Sequence, residues 1–196
     1  MTTPALPTIF AITGASGAPY AVRLLEVLAQ HHIPTWLLVS SHGWRLLNEE
    51  SGIKDAAGLQ KATGGDWTSI RTFDDGDRGA QPASGSVQTN GMVVCPCSMG
   101  TVAAIAHGTS RSLIERAADV TLKEHRRLLL VPRETPLSLI HLRNLVQAAE
   151  AGATILPAAP GFYQRPREVR ELVDFIVQRI VDHLGLGISI ITPWQG

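Results

Sequence analysis

Three short segments of this chain carry residue types that could do chemistry together. They are Gly14-Ala15-Ser16-Gly17, Val131-Pro132-Arg133-Glu134-Thr135-Pro136 and Pro160-Gly161-Phe162-Tyr163. Each follows an apolar run that reads as a buried parallel strand. In an open α/β sheet the loops at the strand C-ends converge on one crevice, and ligands bind there. Here those loops hold a glycine-rich turn, an Arg-Glu pair and a Tyr. The combination points to a phosphorylated ligand with charge chemistry beside it.

Gly14 to Gly17 lie between a strand and a helix. Glycines let backbone approach an anion, and a helix N-terminus favours negative charge. The same residues also make an ordinary tight β–α turn, and the motif lacks both the G-x-G-x-x-G spacing and a Walker lysine. Ser16 adds a hydroxyl. Ser98-Met99-Gly100-Thr101 repeats the logic after a second strand, with hydroxyls and open N–H groups at a helix start; the plainer reading of Ser98 is an N-cap. The two loops would share one ligand if their strands are neighbours. Arg116, Lys123, Arg133 and Arg179 could meet at one anion, although each also reads as a solvated surface residue. Arg133 stands apart because it sits at a strand C-end beside Glu134. Glu50 closes a helix after the second strand, with Glu49 equally placed. His107, His125 and His141 have no mutual metal spacing.

The elements that must position these residues alternate strand and helix. Strands are expected at Thr8–Thr13, Pro34–Ser40, near Ser69–Phe73, and at Gly91–Cys97, Arg127–Val131 and Thr154–Leu156. Helices are expected at Ala18–His31, Gly43–Ser51, Thr101–His107, Ser112–Thr121, Leu137–Ala151 and Pro166–Leu184. In the last, Pro166 falls near the first turn and Gly185 just past the end. Gly52 to Ser86 is the least regular stretch and should hold one short helix, the short strand and a loop over the site. The pattern predicts an α/β fold, a Rossmann- or flavodoxin-like three-layer sandwich with a mainly parallel sheet. Residues 1–185 read as a single domain and 186–196 as a tail docking on this or another subunit.

Composition narrows the function. The chain has 196 residues, 44% apolar and 17% charged, with Lys+Arg and Asp+Glu both 17. That balance, with no basic stripe, argues against a nucleic-acid partner. The low charged fraction predicts surface covered by other subunits. No apolar run approaches the about 20 residues that span a bilayer, and no secretory signal precedes the first strand. Cys95 and Cys97 are the only cysteines. Alternate strand residues lie about 6.5–7 Å apart, at the limit of disulfide geometry. With no second Cys or His pair they make a poor zinc site. A reduced, cytoplasmic protein is expected.

The motifs resemble the UbiX-type flavin prenyltransferases, in the wider group of homo-oligomeric flavin-containing decarboxylase-like proteins. The matching segments are I-T-G-A-S-G (12–17), P-A-S-G-S (82–86), V-V-C-P-C-S-M-G-T (93–101), L-I-E-R-A-A-D-V-T-L-K-E (113–124), L-V-P-R-E-T-P (130–136), H-L-R-N-L (141–145) and I-L-P-A-A-P-G-F-Y (155–163), with isolated matches at Arg179 and Trp194. The related decarboxylases usually carry a catalytic His near the P-A-S-G-S region and a P-A-S-A-N-T-like motif in place of P-C-S-M-G-T. This chain has neither.

The resemblance implies transfer of a dimethylallyl group to reduced FMN, at N-5 and then by ring closure at C-6, giving prenylated FMN for a UbiD-type decarboxylase. It implies that FMN contacts Gly14, Ala15, Ser16, Ser40, Ser98, Met99, Gly100, Thr101 and Arg133. The phosphate of dimethylallyl phosphate would meet Lys123, Tyr163 and Arg179, with Arg116 nearby. Ser16, Glu50 and Glu134 would act in catalysis, and Ser84 and Trp194 would line the prenyl pocket. No metal is implied, since fixed cations can stabilise a departing phosphate. Arg78 stands where some members have an aromatic residue. The family builds its sites between subunits of trimers that assemble into dodecamers. A flavin-dependent decarboxylase of the same fold and a non-catalytic flavin-binding subunit are the alternatives.

Overall fold

The computed structural model describes residues 5–192. Its strands are β1 (Thr8–Ile12), β2 (Thr35–Val39), β3 (Ile70–Phe73), β4 (Gly91–Cys97), β5 (Leu128–Pro132) and β6 (Thr154–Ile155). The helices are α1 (Ala18–Gln30), α2 (Ser41–Ser51), α3 (Ala56–Ala62), α4 (Met99–Ala106), α5 (Leu113–Lys123), α6 (Leu139–Glu150) and α7 (Val169–Leu184). The strands form one 6-stranded sheet in the order β3-β2-β1-β4-β5-β6. Every pairing is parallel. The order reverses between β1 and β4, which is where such sheets open a crevice beyond the strand C-ends.

Strand alternation builds a core on each face. Phe10, Ile12, Leu37, Val39, Val93, Leu129 and Val131 pack with Leu24, Leu25 and Leu28 of α1 and Val177, Ile180 and Val181 of α7. Ile9, Ala11, Leu38, Met92, Val94, Leu128 and Leu130 pack with Val102 of α4, Leu113 and Ala117 of α5, and Ala148 of α6. Trimming one of these leucines to Ala would cost about 2–5 kcal/mol. The alternation slips in β4, whose register against β5 shifts between Val94 and Cys97. Cys95 therefore faces the α1–α7 core and Cys97 the α4–α6 core. The two thiols are free, buried and on opposite sides of the sheet.

Serine N-caps set three helix starts earlier or later than periodicity suggests. Ser40 and Ser98 bond the N–H groups of Gly43 and Thr101, so α2 and α4 begin at Ser41 and Met99 rather than at Gly43 and Thr101. Ser138 caps α6, which starts at Leu139 rather than Leu137. The long helix begins at Val169, not Pro166, because Glu168 and Glu171 form a reciprocal capping box there.

The tail residues to 192 dock on their own subunit. The Gln178 amide donates to the Ile188 carbonyl at 3.0 Å and accepts from the Ile190 N–H at 2.7 Å. Leu186, Ile188 and Ile190 lean on the α1–α7 core. Trp194 lies outside the described residues. One face of α6 is left apolar and open: Leu139 is 61%, Ile140 69% and Val146 56% exposed. Among the described residues no helix is long and apolar enough to cross a membrane.

Candidate active site

Four helix N-termini point into the crevice, and their backbone donors are used differently. At α1, the Gly17 and Ala18 N–H groups both donate to Glu50 Oε2, at 2.9 and 2.8 Å. Pro19 has no N–H, and the Tyr20 N–H bonds the Gly17 carbonyl. At α5, Leu113 donates to the Asp75 carbonyl and Ile114 to Asp75 Oδ1 at 2.9 Å. Both of these ends are closed by a carboxylate of the chain itself. The ends of α2 and α4 are not. Ser40 and Ser98 each take only the third N–H of their helix. The first two, at Ser41 and His42 and at Met99 and Gly100, have no intrahelical acceptor.

The open ends border a polar cavity of about 400 Å³ lined by Gly14, Ser40, His42, Ser98, Thr101 and Ser112, among others. Two carboxylates also line it, and both are engaged. Asp75 caps α5, while Glu115 bonds the backbone and guanidinium of Arg111. The donor set fits a phosphomonoester: N–H groups and hydroxyls, with both helix dipoles favouring the anion.

This corrects one expectation. The glycine loop does not offer the N-terminus of α1 to a ligand, because Glu50 fills it. Gly14 still lines the cavity, and its hydrogen side is needed for close approach. A Cβ there would lie 2.4 Å from His42 Cβ. The two loops do lie on neighbouring strands, since β1 pairs with β4.

Thr13, which sequence reasoning passed over, ties them together. Its hydroxyl donates to the Pro96 carbonyl at 2.9 Å and accepts the Ser98 N–H at 2.9 Å. The side chain is buried, and that brace fixes the start of α4 against the end of β1. Its only sequence signal is a hydroxyl residue where an apolar strand ends.

Beside the glycine loop, Ser16, Glu50 and Arg133 meet. Arg133 Nε donates to the Ser16 carbonyl at 3.1 Å. Partial burial alone would raise the Glu50 carboxyl. The Gly17 N–H, the Ser16 hydroxyl, the Ala18 N–H and the Arg133 charge outweigh it and hold Glu50 below the ordinary glutamate value. The carboxylate is thus ionised at neutral pH, with a site open to a proton but a weaker base than a free glutamate. Glu49 instead pairs with Arg45 at 2.7 Å on the exposed side of α2. Glu134 is exposed and bonds the Thr135 N–H.

The remaining residues fall into two places. Lys123 ends α5, on the α4–α6 side of the sheet, and its ammonium would stand 3.0 Å from a Cβ built on Gly85. The P-A-S-G-S segment, with Ser84 bonded to Ser86 at 2.9 Å, therefore lies against Lys123. Arg116 sits two turns earlier on α5 and pairs with Asp119 at 2.7 Å. Tyr163 and Arg179 belong to the other face. Tyr163 stacks edge-on against Phe175, one turn before Arg179 on α7, and Arg179 pairs with Asp182. Within one subunit the sheet separates Lys123 from Tyr163 and Arg179. Arg78 is exposed.

A family model described as Flavoprotein matches residues 2–181. A flavin prenyltransferase UbiX of Pseudomonas aeruginosa is 46% identical over 191 residues, covering 94% of this chain and 91% of the relative. The chain belongs to the flavoprotein family and, within it, to the UbiX-type flavin prenyltransferases. Solved structures of the family superpose on it closely. AnUbiX (PadA1), in complex with FMN and dimethylallyl pyrophosphate, gives a TM-score of 0.90 at 36% identity, covering 98% of each chain. A dodecameric FMN-dependent UbiX-like decarboxylase from Escherichia coli O157:H7 gives 0.89 at 38% identity, covering 97% of this chain and 100% of that one.

Proposed function

We propose that this chain transfers the dimethylallyl group of dimethylallyl phosphate to N-5 of reduced FMN, with closure at C-6. The product, prenylated FMN, would serve a UbiD-type decarboxylase. The observation that carries the reading is full-length similarity to a structure holding FMN and a dimethylallyl donor, joined to a crevice whose open helix ends suit a phosphomonoester. In the transfer the C–O bond breaks, its electron pair leaves with phosphate, a C–N bond forms and N-5 loses its proton.

The flavin phosphate lies at Ser40 and at Ser98, Met99, Gly100 and Thr101. Gly14, Ala15, Ser16 and Arg133 face the rest of the flavin. In ring closure the C=C π bond of the dimethylallyl group breaks: one of its carbons bonds to C-6, the other takes a proton, and C-6 gives one up. Glu50, Ser16 and the released phosphate are the proton carriers, with Glu134 beside them. Lys123, Arg116, Tyr163 and Arg179 hold the departing phosphate, and their cations do the work a metal would otherwise do. Ser84 and Trp194 line the prenyl pocket. Because Lys123 and Arg179 lie on opposite faces of one subunit, the donor site is completed between subunits of a trimer-built dodecamer. The open apolar face of α6 supports such assembly. Residues 1–185 act as one flavin-binding domain in the cytoplasm.

A decarboxylase is the second reading, favoured by the description of the Escherichia coli neighbour. The absence of a P-A-S-A-N-T-like motif speaks against it. Incubation with reduced FMN and dimethylallyl phosphate, followed by mass spectrometry of the flavin, separates the readings. A flavin heavier by one dimethylallyl group supports prenyl transfer; an unchanged flavin refutes it. Light scattering should find an oligomer, and a monomer at micromolar concentration would refute the shared site.

A further inference from the structure

The segment that carries Ser84 is gripped by a side chain that has no part in the chemistry above. Arg126 lies between α5 and β5, half-buried. Its Nη1 donates to the Val87 carbonyl at 2.8 Å and its Nη2 to the Gly85 carbonyl at 2.6 Å. These are two charge-assisted bonds from one planar fork, a geometry that a lysine cannot reproduce. The segment also lies against Lys123 and Glu124, at the end of α5. Lys123 Nζ bonds Glu124 Oε1 at 2.7 Å. A Cβ on Gly85 would stand 2.4 Å from Glu124 Oε1 and 3.0 Å from Lys123 Nζ. Gly85 thus leaves room for the Lys123–Glu124 pair to lie against the segment's backbone, with the carboxylate nearest and the ammonium next.

Upstream, the short 3-10 turn Gln81–Ala83 packs on α5 with Pro82 buried, and the Ser84 N–H bonds the Gln81 carbonyl at 3.1 Å. Over residues 85–87 the Arg126 fork supplies the hydrogen bonds to the rest of the fold. Within the segment, the Val87 N–H bonds the Ser84 carbonyl at 3.3 Å, and Ser84 and Ser86 share a hydroxyl contact. Without the fork, both carbonyls would turn to solvent and the segment could lift from α5. The spacing between the Ser84 hydroxyl and the Lys123 ammonium would then no longer be fixed.

From this geometry we infer that Arg126 is a positioning residue for the prenyl donor: it clamps residues 84–87 against Lys123 and so sets the mouth of the donor site. It touches neither substrate. The inference rests on the reading of Ser84 and Lys123 as donor-binding residues. Misplacing a donor contact raises KM for the donor, whereas the FMN phosphate cavity lies at the strand C-ends and keeps its own contacts.

The experiment compares Arg126→Ala, Arg126→Lys and Gly85→Ala in the full-length oligomer. Arg126→Ala should raise KM for dimethylallyl phosphate by about tenfold or more, with FMN affinity within about twofold of normal. Arg126→Lys should recover only part of the loss, since one ammonium cannot bond both carbonyls. Gly85→Ala keeps the fork but pushes the Lys123–Glu124 pair off the segment, so it should raise the same KM even if Arg126→Ala fails to fold. Hydrogen exchange gives an arm that needs no turnover: amides of residues 84–88 should exchange faster in Arg126→Ala, while those of α4 should not. Unchanged KM in a folded Arg126→Ala, unchanged KM in Gly85→Ala, or unchanged exchange over 84–88 overturns the inference. Faster exchange in Arg126→Ala, beside a wild-type protein that makes no prenylated flavin, would leave the clamp standing and instead refute the proposed function.

Discussion

Replacing Glu50 by Gln tests whether this carboxylate holds the glycine loop as well as serving the chemistry. One oxygen of Glu50 receives the Gly17 and Ala18 N–H groups at 2.9 and 2.8 Å. Gln keeps the shape and can still accept, but the bonds lose their charge and the helix dipole loses its counter-charge. Charge-assisted bonds reach about 1.5–3 kcal/mol each, yet this side chain is open to water and the gain is screened. A loss of about 1–2 kcal/mol, the usual scale of an N-cap deletion, is the better figure. For a domain of this size that lowers Tm by about 2–8 °C. The pH dependence follows from the direction of the shift. Glu50 lies below its ordinary value of 4.5 in the fold. Its contribution is therefore complete above that value and lost as pH falls through the lower, folded one. The gap between wild type and Glu50→Gln should be full at pH 7 and close in acid, where Glu50 itself becomes neutral. The assay is calorimetry at one fixed protein concentration across that range, because assembly shifts apparent stability. Equal Tm values at pH 7, or a gap that widens in acid, would refute the reasoning. In turnover, the same variant should slow ring closure more than it weakens FMN binding.

Lys123→Ala and Arg179→Ala should each cut turnover with dimethylallyl phosphate by about tenfold to a hundredfold while leaving FMN affinity near normal, read by product formation beside flavin titration. Ser98→Ala should weaken FMN about tenfold and leave riboflavin, which lacks the phosphate, nearly unaffected; calorimetric titration of both flavins checks it. Thr13→Val should cost about 1–3 kcal/mol in urea unfolding, since the Ser98 N–H then loses its buried acceptor.

Much of the sheet was legible because its strands are apolar runs bounded by Gly, Pro or Ser. β4 ends where the sequence says it should, at Gly91 and Cys97. Helix boundaries were harder because caps, not periodicity, decide them. Pro166 looked like a first-turn proline, yet the Glu168–Glu171 box starts the helix later. At the site, local motifs were readable and long-range partners were not. Nothing near Gly17 says that a carboxylate 33 residues away will fill its helix end. Nor does spacing reveal that Thr13 braces Ser98 across 85 residues. The cations could be picked out by type, but Tyr163 joined them by resemblance alone and no spacing showed that they meet, and the fold explains why: the sheet itself stands between Lys123 and Arg179.

The slip in β4 gives the molecule a pair of internal timers. Cys95 and Cys97 each lie at 0% exposure, in separate cores, and burial pushes both thiols far above the ordinary cysteine value. A disulfide reagent added to the folded protein can reach Cys95 only when the α1–α7 layer departs, and Cys97 only when the α4–α6 layer does. Labelling rates of Cys95→Ala and Cys97→Ala would then clock the two layers independently, and equal rates would mean that the sandwich opens all at once.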